Sequence, residues 1–71
     1  MLKFHSDDLI DTRLSYSIAE AALILGISRG FAYRLVAAGD LPTFRLGRRR
    51  LVARRDLEAF VEARTAQAVA R

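Results

Sequence analysis

The sequence predicts a mostly α-helical domain carrying one small β-hairpin, and three observations support that prediction. Two serine-capped helix starts, at Ser17 and Ser28, flank a turn glycine, Gly26. After Leu41-Pro42 the helical period gives way to alternation around a Gly47-Arg48-Arg49 turn, the pattern of a short hairpin. From about Arg54 or Arg55 a helical stripe returns as Leu57, Phe60 and Val61. Seventy-one residues without cysteine make one small domain, near the lower limit for folding without staples.

The elements follow in order. Residues 1–14 read as an N-terminal arm in which Asp7, Asp8 and Asp11 interrupt scattered apolar residues. Leu9, Ile10 and Leu14 are its candidates for packing on the core, and a loose arm is the alternative. Tyr16 is a packing staple beside the Ser17 cap, and Ser17 with Glu20 completes an S-x-x-E capping box. Ile18, Ala21, Ala22 and Leu25 then share one helical face, Gly26 ends the helix, and Ile27 points back towards the core. Ser28 caps a second helix, from Arg29 to about Ala38, whose buried face is Phe31 or Ala32 with Leu35 and Val36, and Gly39 terminates it. Thr43 to Leu46 is the outgoing strand and Arg50-Leu51-Val52 the return, with either Leu51 or Val52 facing solvent. The last helix takes Asp56 in its first turn, and its stripe thins beyond Ala63, so 63–71 read as a helix end or frayed tail.

Charge is distributed unevenly. Residues 29–55 hold eight arginines against one acid, Asp40, a net +7, whereas the flanking stretches sum to −2 and −1. Such a block is the electrostatic footprint of a polyanion-binding face. Eleven of the twelve Lys and Arg residues are arginine, whose planar fork grips phosphate or guanine in a bidentate manner.

The helix pair whose second member opens this block has the spacing of a DNA-binding helix-turn-helix. Ala22 stands four residues before Gly26, where the helices cross closely, and Ala32 and Leu35 stand six and nine after it, where the second meets the first. On this reading the second helix enters the major groove and offers Ser28, Arg29, Gly30, Tyr33 and Arg34 to double-stranded DNA. Ser28 and the first-turn N–H groups suit phosphate, and Arg29 or Arg34 suits a guanine edge. Arg45, Arg48, Arg49 and Arg50 on the hairpin suit a phosphate ridge or a minor groove. The plainer alternatives are a solvated helix pair and a charged edge strand that deters aggregation. Four like charges within six residues make poor edge protection, because mixed signs would serve better.

These residues resemble a known family. The run Ser17-x-x-Glu20-Ala21-Ala22-x-x-Leu25-Gly26-Ile27-Ser28-Arg29 carries its first half. Tyr33-Arg34-Leu35-Val36-x-x-Gly39-x-Leu41-Pro42-x-x-Arg45-Leu46-Gly47-Arg48-Arg49-Arg50 and Asp56-Leu57-Glu58-Ala59-Phe60-Val61 carry the rest. Over about residues 15–62 the chain resembles the excisionase-type, MerR-like winged helix-turn-helix proteins. The resemblance implies three helices plus a wing, and bacterial, phage or mobile-element DNA as partner. It also implies a role as a recombination directionality factor, with a small transcription regulator as the alternative and a DNA-recognition adaptor in a phage complex as a third reading. By the same resemblance Ser28, Arg29, Tyr33 and Arg34 belong to the recognition helix, and Arg45, Arg48, Arg49 and Arg50 to the wing. The sequence departs from the pattern at Phe31, where a small polar residue is usual, at Ala32, where a β-branched residue is usual, and at Ala53, where proline is common.

Other classes find little footing. One histidine (His5), no cysteine and no phosphate-cradling glycine loop argue against an enzyme and against a metal or other cofactor. No small-molecule ligand is expected, because the chain lacks room for an effector domain. No apolar run approaches the ~20 residues of a membrane span. The expected setting is cytoplasmic, at a bacterial nucleoid or in a phage-infected cell. The expected partners are DNA, a site-specific integrase and further copies of the chain binding cooperatively.

Overall fold

The computed structural model describes residues 13–69, so the expectations for Leu9, Ile10, His5 and the aspartates of the arm lie outside the described residues. The chain runs β1 (Ser15–Ser17), α1 (Ile18–Leu25), α2 (Arg29–Ala37), β2 (Phe44–Leu46), β3 (Arg49–Ala53) and α3 (Arg54–Val69). Three helices and a small antiparallel sheet of order β1-β3-β2 make a winged helix-turn-helix, as the sequence predicts.

The capping box at Ser17 forms in both directions. Ser17 Oγ accepts from the Glu20 N–H at 3.0 Å, and the Ser17 N–H donates to Glu20 Oε1 at 2.8 Å. Two of the four donors that every helix start leaves unpaired are thereby satisfied. At the other end Gly26 takes φ 77°, and the Ile27 N–H reaches back to the Ala22 carbonyl at 3.0 Å, closing the turn tightly enough to start α2 two residues later. Ser28 Oγ accepts from the Phe31 N–H at 3.1 Å and fixes that start. Past α2 the same device recurs. Gly39 has φ 83°, and the Asp40 and Leu41 N–H groups both return to the Leu35 carbonyl, which turns Leu41 into the core at 1% exposure.

The core is one cluster to which every helix contributes. Ile18, Ala21 and Ala22 come from α1, Ala32 and Leu35 from α2, and Leu57 from α3, meeting Tyr16, Leu41 and Val52. Leu25, Ile27, Val36 and Phe60 pack at its margin. Alanines at the crossing of α1 and α2 let the two backbones approach, which is why so small a core closes.

The structure corrects the sequence reading at three places. Leu14 is not a core residue; it is 84% exposed, although its carbonyl accepts from the Arg54 N–H at 2.8 Å. The hairpin turn is Gly47-Arg48 alone, and Arg49 already pairs with Leu46. Leu51 and Val52 are both buried, because β1 supplies a third strand and β3 becomes the middle one. Val52, opposite Tyr16, faces the helices, and Leu51 lies on the other face between Ser17 and Phe44. Of the alternatives for 63–71, the described part is helix, which continues to Val69 with the Thr65 hydroxyl donating to the Val61 and Glu62 carbonyls.

Candidate nucleic-acid interface

Helix α2 presents two faces of different character. Ala32 and Leu35 are buried, so the direction from Ala32 to the core fixes where every other side chain points. At 3.6 residues per turn, Gly30 and Arg34 each lie about 160° round the helix from Ala32, on the outermost line. Tyr33 and Phe31 flank that line at 51% and 41% exposure, and Ser28 and Arg29 are exposed at the N-terminal end. The five residues the sequence assigned to this helix are therefore all exposed, and Phe31 joins them. Of the pair Phe31 or Ala32, it is Ala32 that is buried, so the phenylalanine has not taken over core packing.

Gly30 has no evident folding role. A methyl group added there would meet nothing within 4 Å, and its φ is not positive. Glycine inside a helix costs up to about 1 kcal/mol relative to alanine. A bare helical backbone on the outermost line lets a large partner come close, which is the one advantage glycine offers here.

The hairpin is closed by a two-residue loop. Gly47 has φ 64°, and among the described residues no other residue type has positive φ, which gives a II′ turn with Arg48 at its second position. Register then divides the arginines. Arg45 stands directly opposite Arg50, and both share the sheet face of Val52 and Tyr16, the face on which the helices pack. Arg49 points to the other face with Leu46, and Arg48 occupies the tip. The four wing arginines thus form a pair on the helix side, one at the apex and one behind.

Pairing with carboxylates sharpens the picture. Among the described residues the ion pairs are Arg13–Glu20, Arg54–Glu58 and Arg64–Asp40, at 2.9, 3.2 and 3.6 Å. Arg29, Arg34, Arg45, Arg48, Arg49, Arg50 and Arg55 take part in none, and the Arg34 guanidinium carbon lies over the Phe31 ring, 5.6 Å from its centroid. The lone acid of the basic block, Asp40, is occupied by Arg64. The block itself does not form one patch. Arg54 and Arg55 follow the buried end of β3, about 15 Å along the strand from the hairpin turn.

Arg13 shows the contrasting use of the same residue. Its two terminal nitrogens fork onto the two Glu20 oxygens at 3.0 and 2.9 Å, and its guanidinium lies over the Tyr16 ring at 5.1 Å. The hydrogen bonds from Arg13 and from the Ser17 N–H pull the Glu20 carboxyl down to about 2, and the bond to Glu20 raises Arg13 above its ordinary value.

Sequence reasoning missed β1, whose three residues carry no alternation that a short segment could reveal, and it missed Phe31 as an outward residue. The signal for Phe31 was present: Ala32, one position on, is the residue at core spacing. A helix-turn-helix domain family model matches residues 15–65, spanning α1, α2, the hairpin and the first three turns of α3. No curated protein and no solved structure matches the chain alongside it.

Proposed function

The chain belongs to the helix-turn-helix domain family, a family of DNA-binding proteins, and from that premise we propose that it acts as an excisionase. In this reading α2 enters the major groove through Ser28, Arg29, Gly30, Tyr33 and Arg34, while the wing arginines Arg45, Arg48, Arg49 and Arg50 hold the flanking backbone or minor groove. The observation that carries the reading is the Arg45–Arg50 pair, two like charges directly opposite each other with, among the described residues, no carboxylate paired to either. Such a pair weakens a hairpin, and a polyanion seated on it removes the penalty.

The protein does no chemistry. One domain of this size reads few base pairs, so useful specificity comes from several copies on adjacent sites or from a partner bound beside it. Exposed apolar residues away from the wing, Leu23 at 81% and Ile24 at 49% on α1 with Val61 at 43% on α3, suit such protein contacts. Bending the attachment-site DNA costs on the order of 1–6 kcal/mol, which the extra contacts of neighbouring copies offset, and the bend places a site-specific integrase for the excision direction.

The test is a footprint on DNA of the parent genome followed by excision with purified integrase, with and without the protein. Protection of short repeats beside an attachment site, and excision that depends on the protein, is the expected outcome. Protection of a promoter with no effect on recombination would assign it instead as a small transcription regulator. Affinity indifferent to salt would overturn the interface itself, because neutralising roughly four to six phosphates gives a slope of about −4 to −5.

A further inference from the structure

Helix α2 carries a composite group that its separate residues do not announce. Phe31 and Arg34 are one turn apart, and the guanidinium lies over the ring at 5.6 Å from its centroid. An exposed phenylalanine alone says little. Here, however, Phe31 is 41% exposed in the first turn of the outward face, Ala32 has already filled the core position at 0% exposure, and among the described residues no acid pairs with the arginine. The contact places the guanidinium over the ring, and among the described residues no ion pair occupies it.

We propose that Phe31 and Arg34 act together as a reader of a methyl-bearing pyrimidine followed by guanine. Arg34 donates two hydrogen bonds to guanine N7 and O6, and the Phe31 ring packs on the C5-methyl of the pyrimidine on the guanine's 5′ side. The chemistry fits the major groove. Arginine to guanine is the commonest bidentate base contact there, and the C5-methyl is the one apolar group a base displays on that edge. A guanidinium bound to guanine lies close to the base plane, so a ring stacked upon it meets the neighbouring base pair. The methyl comes from thymine or from 5-methylcytosine, and the recognition depends on the methyl alone. The inference rests on α2 entering the major groove, as proposed above.

The experiment starts from random-sequence duplexes enriched by binding to the full chain. In an enriched duplex the thymine before the guanine is replaced by uracil, by 5-methylcytosine paired with guanine, or by cytosine paired with guanine. The wild type should lose about fourfold in affinity from thymine to uracil and differ by a similar factor between 5-methylcytosine and cytosine, the worth of one buried methyl. Phe31→Ala should abolish both differences while keeping the salt slope and the circular dichroism of the fold. Phe31→Leu, still apolar, should retain most of them. A 5-methylcytosine duplex as tight as the thymine one assigns recognition to the methyl in either base, and a weaker one restricts it to thymine. Sequence-selective binding in which uracil costs nothing, or costs Phe31→Ala as much as wild type, overturns this inference and leaves the major-groove reading standing. Failure to bind any duplex overturns both.

Discussion

The two ends of β3 treat arginine in opposite ways. At the Ala53 end two of the neighbouring cations are paired: Arg13 forks onto Glu20 across the ring of Tyr16, and Arg54 meets Glu58 at 3.2 Å, while the exposed Arg55 takes part in no ion pair among the described residues. At the Arg49 end, three residues from the buried Val52, Arg50 faces Arg45, and among the described residues no acid pairs with either. One strand of five residues therefore passes from a segment built for folding to a segment that folding alone does not explain. Directly opposed like charges destabilise a strand pair, by an amount comparable to the roughly 0.2–1 kcal/mol that favourable pairs contribute. Arg13 and Arg54 brace the fold through their carboxylates, whereas the opposed Arg45 and Arg50 do nothing for it.

The largest effect should come from the buried end. Leu57, 5% exposed in the core cluster where α3 leaves β3, should cost about 2–5 kcal/mol of folding stability when truncated to alanine. A domain of this length has on the order of 4–10 kcal/mol in total, so urea unfolding should shift far towards lower concentration. A midpoint near wild type would show that the buried end is not what holds the domain together.

Next comes the outward face of α2. Arg34→Ala should weaken binding to the cognate duplex by about 1–3 kcal/mol and leave the unfolding midpoint in place, since its side chain is exposed and in no ion pair among the described residues. Equal losses on cognate and random duplexes would reassign Arg34 to phosphate positioning. At the wing tip Arg48→Ala should weaken all sequences alike and lower the salt slope by about one. An unchanged slope would mean that the apex of the II′ turn never reaches DNA. Smaller still, Arg50→Thr should raise stability by at most about 1 kcal/mol, because it removes the repulsion with Arg45 and places a strand-favouring residue there. The same variant should bind DNA more weakly. A stability gain without a binding loss would identify the pair as an unrepaired fault of the hairpin and not as part of the interface.

How much of this division was legible in the sequence depends on the range of the signal. Caps are local, so Ser17-Glu20, Gly26, Ser28 and Gly39 could be read directly, and the structure places them as expected. The wing was legible from the change of period at Pro42. What failed was non-local. Ser15 to Ser17 becomes a strand only because β3 accepts it, and that pairing is what buries Leu51 as well as Val52. The basic block misled in the same way, since chain proximity grouped Arg54 and Arg55 with the wing although β3 carries them to the far end of the sheet. For the candidate site, the residues expected at the N-terminal half of α2 are all exposed, whereas spacing alone left the core position open between Phe31 and Ala32. The split of the wing arginines by face depended on a register that the Gly47-Arg48-Arg49 reading had displaced by one residue, which exchanges the faces of a strand.

The smallest effect tests the Ala53 end. Glu20 titrates at about 2 in the folded chain against an ordinary value of 4.5, held down first by the Arg13 hydrogen bonds and then by the Ser17 N–H. A depressed carboxylate contributes stability above its unfolded value, and that contribution is lost as pH falls from about 4.5 to about 2. The pair is over a third exposed, so solvent screening keeps its worth within the ~0–1 kcal/mol of a surface ion pair. Glu20→Gln keeps an acceptor for the Ser17 N–H and so preserves the capping box while removing the charge. Thermal unfolding should therefore place the variant slightly below wild type at neutral pH, with the gap closing as pH drops through that window. Binding to DNA at neutral pH should not change, because this end of β3 faces away from the wing. A gap that stays constant down to pH 2 would mean that Glu20 acts through the shape of its cap, and that neutralisation of Arg13 contributes nothing to the fold.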